Sequence, residues 1–396
     1  ATTEHGYEGT GRGFHLRFKQ VLDRETPDWQ ELHLVEPIRW SRHDPLEPLT
    51  FRLLGLHADT VAPQPPTTAS WRQLEQVALA SDEALLNRVF GLLVLAHYQT
   101  SPSDLRYLLE GPDLDIHLLE QGDTLLGVAL VAREGNISPA LAQDIWAGRR
   151  RPRGHLLPQS LLAHAGFITA GERTYARVMR IAIHPGLHRL GLGSLLLDRL
   201  ETHYRTLGVD YLGSAFSASP ELLPFWLKGG LRVLRIGLQR DAASGSHAAL
   251  LLKPLQAERH AELAQWRQRF VSQLPTLLAG ELRQLDAELV WLCLRGEQVV
   301  GAPELDAFEH QELDCFAHHH NPFELCQATL QRWLGSKMAL LDDLSPDERR
   351  LLIATIWQYA PWAELAAAQG VAGKPALIKA LRALLARLLA PRVPGG

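Results

Sequence analysis

The sequence is poor in cysteine, which excludes a disulfide-stabilised secreted domain. Only three of its 396 residues are cysteines (Cys293, Cys315 and Cys326), and neither their odd number nor their spacing provides a disulfide framework. This usage is typical of a reducing, cytoplasmic compartment. Cys315 and Cys326 flank the three histidines at 318–320, but this spacing matches no zinc motif, so no metal site is predicted.

Long apolar runs and an excess of basic charge are missing too. No stretch contains the roughly 18 apolar residues of a membrane-spanning helix, and no secretory signal opens the chain. No membrane partner is therefore predicted. The formal net charge is -4, so binding to nucleic acid requires a local basic patch. The length suffices for about two to three domains.

Glycine and proline divide the chain into regions. Residues 1–60 contain short apolar stretches between glycines and prolines, and we predict that they belong to a larger α/β unit. The chain begins at Ala1 and enters a glycine-rich segment, which indicates a fragment of a longer protein. The proline-rich residues 61–70 predict a linker. Residues 71–98 are predicted to be helical, and the chain is helix-rich from about residue 255 onward.

The middle of the chain combines strand and helix patterns. Their order predicts an α/β fold with a mixed sheet and helices packed on it. The predicted elements are a β-hairpin of 114–119 and 124–131 with Gly122 at its turn, a polar and basic insertion at 134–176 with one helical stretch, a strand at 178–183, a helix at 193–207, a strand at 211–216, a helix at 220–228, and strands at 231–236 and 247–252.

The clearest site motif is IAIHPGLHRLGLGS at residues 181–194, where a strand leads through a glycine-containing turn into a helix. The first backbone N–H groups of a helix have no intrahelical partner, and the helix dipole favours negative charge there. Gly191 and Gly193 let the backbone approach a pyrophosphate without a Cβ in the way. The alternative is an ordinary turn between a strand and a helix.

This motif resembles the acetyl-CoA loop of Gcn5-related acetyltransferases, Gln/Arg-x-x-Gly-x-Gly/Ala, with His188 at the first position. Three further stretches (Gly6–Phe14, Glu36–Trp40 and Trp146–Ser160) resemble bacterial tRNA(Met) cytidine acetyltransferases. The resemblance implies a Gcn5-related mixed sheet with flanking helices at 71–254. It also implies a remnant of a helicase-like α/β module at 1–60, so an amino-terminally truncated member, and a helical tRNA-binding tail domain at 255–396.

The family resemblance implies a reaction: acetyl-CoA and ATP are used to acetylate N4 of the wobble cytidine in elongator methionine tRNA. Arg39 matches a family arginine that reaches ATP. This sequence has no G-x-x-x-x-G-K-[ST] loop, so ATP hydrolysis by this chain alone is not expected. The residues that match the family's CoA contacts are Ile181, Ala182, Ile183, His188, Arg189, Leu190, Gly191, Leu192, Gly193, Ser194, Glu221 and Lys228.

Two further groups of residues are candidates for the chemistry. Cytosine N4 is a poor nucleophile, and His184 at the strand end is the candidate base for its proton; the alternative is a histidine that merely contacts the CoA loop. Arg149, Arg150, Arg151 and Arg153, with His155 beside them, are the candidate RNA contacts. The alternative is a solvated loop, paired with acids such as Asp144.

Other readings of the chain remain open. Arg382 and Arg387 on the carboxy-terminal helix suit a solvated face, although they could also reach RNA. For the whole chain, the alternatives are an acetyltransferase acting on a protein or small-molecule amine, and an inactive RNA-binding remnant. The basic insertion and the helical tail favour the RNA enzyme, because a small-molecule acetyltransferase requires neither.

Overall fold

The computed structural model describes residues 22–23, 25–26, 28–32, 38, 41, 44–53, 64–96, 102–241, 245–296 and 304–390. The chain forms two compact units, the first of residues 1–215 with 254–256 and the second of residues 216–253 with 257–396. The sequence-based bounds at 60, 70 and 254 differ from this division, and they stay a prediction. Helix α1 (Leu46–Leu53) belongs to the first unit.

The first unit contains a mixed sheet, as predicted. Its strands lie in the order β1 to β5, with antiparallel pairing from β1 to β4 and parallel pairing between β4 and β5. The predicted hairpin is confirmed, and Gly122 at its turn has a φ of +56°. The strands are β1 (Ser70–Leu74), β2 (Leu114–Gln121), β3 (Thr124–Gly135), β4 (Thr174–Ile183) and β5 (Tyr211–Ser217).

The helix predicted from residue 71 was wrong at its start. Ser70–Leu74 is strand β1, whose Trp71 pairs with Leu119 of β2. Pairing across some fifty residues overrides the weak periodicity of so short a stretch. The helical part is itself divided into α2 (Gln76–Ala80) and α3 (Glu83–Ala96), because the carboxylate of Asp82 accepts the N–H of Leu85 at 2.9 Å and begins a new helix.

Helices cover both faces of this sheet. Helices α2, α3 and α4 (Pro102–Glu110) bury one face in a core that includes Leu79, Val89, Leu108, Ile116 and Val128. Helix α7 (Leu192–Thr206) packs against β3 and β4 through buried leucines, and its Tyr204 contacts His117 of β2. Because successive strand residues point to opposite faces, Ile116 and His117 place α7 on the face opposite α2–α4.

The insertion before β4 is more helical than the single stretch predicted. It comprises α5 (Pro139–Trp146), α6 (Leu156–Ser160), a π-helical turn at Leu161–Ala165 and a 3-10 turn at Ile168–Glu172. A separate small core of Ile137, Ala142, Ile145 and Leu162 holds these pieces together. The insertion is therefore a folded module with its own buried contacts.

The second unit contains an antiparallel pair of strands and a set of helices. Its elements are α8 (Leu223–Lys228), β6 (Arg232–Arg240), β7 (His247–Pro254), α9 (His260–Ala279), α10 (Ala287–Leu294), α11 (Ala307–His318), α12 (Phe323–Ser336), α13 (Pro346–Leu352), α14 (Trp362–Ala368) and α15 (Gly373–Leu389). In the described ranges, no helix is both long and apolar enough to cross a bilayer.

Candidate functional site

Strand β4 is bonded on both sides over its first half and on one side over its second. Leu130 of β3 pairs with Arg180, but the next residue, Val131, pairs with Val178, so Met179 is an extra residue that forms a β-bulge. The parallel pairing with β5 ends where Val178 meets Ser214. Beyond the bulge, β3 is therefore the recorded neighbour of β4 within the described chain.

The direction of the backbone groups follows from one hydrogen bond. His184 donates its N–H to the Leu126 carbonyl at 2.9 Å, which shows that the groups of His184 point towards β3. Because directions alternate along a strand, Ile181 and Ile183 point their N–H and C=O groups the other way. The Ile183 carbonyl accepts from Nε2 of His188 at 3.0 Å. Apart from this carbonyl, the N–H and C=O of Ile181 and the N–H of Ile183 form an edge to which an extended ligand can bond as an added strand.

The turn after β4 directs several backbone N–H groups to one place. Pro185–Leu187 forms a 3-10 turn, and Arg189 and Gly191 then adopt left-handed φ values of +65° and +81°. The first intrahelical bond of α7 runs from Leu195 N–H to the Gly191 carbonyl at 3.0 Å. The N–H groups of Leu192, Gly193 and Ser194 precede it and have no helical acceptor.

This helix end suits an anion. No side chain caps it, and a Cβ built on Gly191 would meet no heavy atom within 4 Å, so the space in front of the turn is open. The partial positive charge of the 15-residue helix α7 lies at the same end. The predicted residues 181–183 and 188–194 are thus brought together as one continuous strand, turn and helix start.

His184 has a definite task in this turn. Its side chain is 5% exposed, and its Nδ1 accepts the backbone N–H of Gly186 at 3.1 Å. An Nδ1 that accepts a hydrogen bond has its lone pair engaged, so the neutral ring carries its proton on Nε2. Accepting a proton would require the Gly186 contact to break. The structure shows that His184 closes the turn through its bond to Gly186. Its role as catalytic base stays a prediction.

The basic loop of the insertion contains three unpaired arginines. Arg149 donates to the Asp144 carboxylate, with Nη2 at 2.7 Å, so the predicted alternative of an acid partner holds for this residue. Arg150, Arg151 and Arg153 are exposed, and no ion pair or hydrogen bond of their side chains is recorded within the described ranges. The loop therefore offers three guanidinium groups to an external anion.

The loop is anchored at its far end on β3 and β4. Nδ1 of His155 accepts the N–H of Gly135 at 2.9 Å. The Glu134 carboxylate accepts the N–H of Leu157 at 2.8 Å and is ion-paired with Arg177, and its side chain is only 2% exposed. His155 is consequently a structural anchor rather than a fourth free cation of the patch.

Comparison with known proteins agrees with this geometry. The family described as GNAT acetyltransferase 2 matches residues 88–208, and the family described as RNA cytidine acetyltransferase NAT10/TcmA, helicase domain, matches residues 1–57. The protein of Nitrosococcus halophilus named tRNA(Met) cytidine acetyltransferase TmcA is 42% identical over 98% of this chain and 53% of its own length. Over almost its whole length the chain is similar to members of the tRNA(Met) cytidine acetyltransferase family.

Other relatives with the TmcA name extend the match. The protein of Haloferax volcanii is 36% identical over 91% of this chain and 48% of its own length, and that of Vibrio cholerae is 32% identical over 98% and 54%. The chain thus spans about half the length of the curated relatives that it matches. The predicted Gcn5-related fold is confirmed, and so is the helicase-family match at the amino-terminal end.

The remaining predicted site residues lie elsewhere. Glu221 and Lys228 belong to the second unit, where Glu221 is exposed on a turn and Lys228 is the exposed last residue of α8. Arg39, the predicted ATP contact, and the Gly6–Gly13 segment lie outside the described residues. No group of three or more His, Cys, Asp or Glu side chains in the described ranges could hold a metal ion.

Sequence reasoning missed a buried polar cluster in the first unit. The Tyr204 hydroxyl donates to the Asp115 carboxylate at 2.8 Å and lies 2.8 Å from Nε2 of His117, which stacks on Trp71. Two causes lower the pKa of His117 to about 3: burial, which is the larger, and the nearby His203. Alternating polar and apolar residues, as in β2, are typical of a strand with one solvated face. The partners on α7 lie far away in the sequence and leave no signal in it.

Proposed function

We propose that this chain transfers the acetyl group of acetyl-CoA to N4 of the wobble cytidine of elongator tRNA(Met). The observation that carries the proposal is the continuous path from the one-sided edge of β4 into the open turn at Gly191. The cofactor's pantetheine arm would bond to Ile181 and Ile183 as an added strand. Its pyrophosphate would bind at the N–H groups of residues 192–194.

The same strand edge supplies the chemistry of the transfer. A backbone N–H of Ile181 or Ile183 would donate to the thioester carbonyl and stabilise the negative charge that develops there. N4 of cytosine would attack the carbonyl carbon, the C–S bond would break with its electron pair leaving on the CoA sulfur, and N4 would lose one proton. We assign the acceptance of this proton to His184, which must exchange its Gly186 contact for it and would then pass the proton to the departing CoA thiolate, so that CoA leaves as the thiol.

The unpaired arginines of the insertion would bind the RNA backbone. Arg150, Arg151 and Arg153 are exposed, their guanidinium groups have the fork geometry that matches phosphate oxygens, and the loop that carries them is anchored where Leu157 donates to Glu134. The names of the relatives support tRNA(Met) as the substrate. Such a reaction belongs in the cytoplasm.

ATP enters the proposal through the family rather than through this chain's described residues. Because the sequence lacks a G-x-x-x-x-G-K-[ST] loop, the 396-residue chain should release no phosphate from ATP, and its acetylation should be slow and unaffected by added ATP. A phosphate-release assay run beside nucleoside mass analysis checks both points. Strong ATP stimulation would contradict this part of the proposal.

The test of the cofactor site is a pair of glycine substitutions. Gly191→Leu should abolish measurable acetyl-CoA binding in calorimetry, because its side chain would occupy the space reserved for the pyrophosphate. Gly208→Leu is the matched control: Gly208 also has a positive φ (+74°) and open space around its Cβ position, so it carries the same backbone strain of roughly 1–2 kcal/mol. Equal acetyl-CoA affinity in the two variants would overturn the site.

Mass analysis of tRNA nucleosides then tests the substrate. Incubation of the wild-type chain with acetyl-CoA and tRNA should produce N4-acetylcytidine, and the Gly191→Leu variant should produce none. Acetylation of added amines or proteins with no modified nucleoside would instead favour the protein or small-molecule alternative. Intact RNA binding without any acetyl transfer would favour the inactive remnant.

A further inference from the structure

The insertion forms an open cavity at its surface, and none of the candidate cofactor residues lines it. Its volume is about 230 Å³, and it lies between the end of α5, the basic loop and α6. Ile145, Leu156 and Ala163 supply apolar walls, and Arg151, Gln159 and Ser160 supply polar groups. The volume is below the range of pockets that hold drug-sized ligands, so it suits one planar heterocycle.

A large exposed aromatic side chain follows the wall residue Ile145 in the sequence, and its Nε1 lies 4.0 Å from the Cβ position of Gly166, two residues beyond the lining residue His164. Trp146, the last residue of α5 and the neighbour of Ile145, is 50% exposed, although buried sites are the rule for such side chains. Leu156 of the cavity wall is 41% exposed. An exposed indole ring offers a face on which any nucleobase can stack.

Unpaired positive charge borders the same place. Arg151 lines the cavity, and Arg150 and Arg153 are its neighbours in the loop, whereas the charge of Arg149 is already matched by Asp144. Aromatic faces combined with arginines are the usual means by which proteins bind single-stranded RNA, since the unstacked base and the adjacent phosphate are recognised together.

The loop is held in shape before any ligand arrives. Nε2 of Gln159 donates to the Pro152 carbonyl at 2.8 Å and also contacts the Gly154 carbonyl, so it braces the basic loop from the cavity side. The anchors of Leu157 on Glu134 and of His155 on Gly135 fix the other side. A preorganised loop loses little conformational freedom when a ligand binds.

We propose that Trp146 and this cavity together bind single-stranded RNA, with one unstacked base stacked on the exposed Trp146 ring and Arg151 of the cavity at the adjacent phosphate. The proposal rests on the proposed RNA substrate and adds a subsite to it. The unpaired arginines favour RNA over a protein partner, because the residues that line the cavity include Arg151 and no carboxylate that could bind a basic peptide.

The test uses RNA hairpins with 2-aminopurine in the loop, whose fluorescence falls when the base stacks. Wild type should bind such a hairpin and quench the probe, and Trp146→Ala should lose about tenfold or more in affinity together with the quenching. Trp146→Phe should retain most of both. Phe308→Ala removes another exposed aromatic, 73% exposed on α11 of the second unit, and should match wild type.

A blunt-ended duplex without a loop separates stacking from charge. Its affinity should be the same for wild type and Trp146→Ala, and lower for an Arg150→Ala, Arg151→Ala, Arg153→Ala triple variant. If Trp146→Ala binds the hairpin as wild type does while the triple variant is impaired, the base subsite is overturned and the RNA substrate stands. If wild type binds no RNA, both fail. Displacement of the probe by an acidic peptide at equal affinity would assign the cavity to a protein partner.

Discussion

Three arginines of the insertion differ from four arginines of the second unit in whether they have partners within the protein. Arg150, Arg151 and Arg153 are exposed, with no side-chain partner recorded in the described part of the chain. Arg349 of α13 is 7% exposed, donates to the Glu288 carboxylate and to the Leu344 carbonyl at 2.8 Å, and lies 3.9 Å from the ring centre of Trp291. The first group is available to a ligand and the second is structural.

Three further arginines of the second unit also donate hydrogen bonds to partners within the protein. Arg267 donates to the backbone carbonyls of Val233 and Cys293. On α15, Arg382 donates to the Asn321 carbonyl at 2.8 Å and Arg387 to the Glu348 carboxylate at 2.7 Å. A guanidinium group whose donors are satisfied within the protein gains little from a phosphate. We therefore expect internal partners, rather than the number of arginines in a stretch, to decide which arginines are available to the proposed RNA substrate.

The largest effect on stability is expected at Arg349. Arg349→Met removes the partner of the Glu288 carboxylate and of the Leu344 carbonyl, and it should lower the free energy of unfolding by roughly 3 kcal/mol, the lower end for a buried pair, because Glu288 is 33% exposed. Arg350→Ala, at the exposed neighbouring position, is the control. Denaturant unfolding measures both. A loss below 1 kcal/mol would show that Arg349 is not structural.

The triple Ala variant of Arg150, Arg151 and Arg153 should show the reverse pattern. Its stability should be unchanged, because none of these side chains has a recorded partner among the described residues. Its RNA affinity should fall, and the slope of log affinity against log salt should decrease by about one unit per lost phosphate contact. Acetyl-CoA affinity should stay as in wild type. An unchanged salt slope would make the loop an ordinary solvated surface.

Local patterns in the sequence predicted the strand, turn and helix of the candidate cofactor site, but they did not predict the long-range contacts. The strand, turn and helix at 178–207 could be predicted, because the motif is continuous and its backbone geometry is encoded by Pro185, Gly191 and the apolar residues around them. Strand β1 and the cluster of Trp71, His117 and Tyr204 could not be predicted. Their partners lie tens of residues away, and only folding brings them together.

The bulge in β4 was beyond sequence reasoning for a similar reason. Met179 is an ordinary apolar strand residue, and only the register between β3 and β4 shows that it is unpaired. The availability of Arg150, Arg151 and Arg153, in contrast to Arg149, likewise depends on where Asp144 lies in the folded insertion. The sequence shows which side chains are present, but the tertiary structure decides which of them are paired with one another.

A buried histidine, His117, makes the stability of the first unit depend on pH. Burial and His203 lower the pKa of His117 to about 3 from 6.5, so the folded protein keeps this ring neutral while the unfolded chain protonates it below about pH 6.5. Stability from this group is therefore complete above pH 6.5 and is lost as the pH falls towards 3, with a slope of at most about 1.4 kcal/mol per pH unit.

Denaturant unfolding from pH 7 to pH 4 measures this slope. Tyr204 and His203 contact His117, and Asp115 and Arg133 extend the network beyond Tyr204. The substitution His117→Gln is chosen because the amide can keep the hydrogen bond to Tyr204. In His117→Gln the pH dependence should be shallower than in wild type by up to that slope. His319→Gln, at an exposed site, should behave as wild type. Parallel curves for wild type and His117→Gln would contradict the assignment of the neutral buried ring.

The smallest effect, and the sharpest test of the tail, is expected at Arg387. Its ion pair with Glu348 is exposed (58% and 30% for the two side chains), so Arg387→Ala should cost about 0.2–1 kcal/mol of stability, and less at high salt. A tRNA-binding tail would require such arginines to bind phosphate as well. If Arg387 contacts phosphate, its loss should also reduce the slope of log RNA affinity against log salt by about one unit. We expect an unchanged slope, because its partner in the folded protein is Glu348. A reduced slope would show that an internally paired arginine can exchange its carboxylate for RNA, and the distinction between the two groups of arginines would then fail.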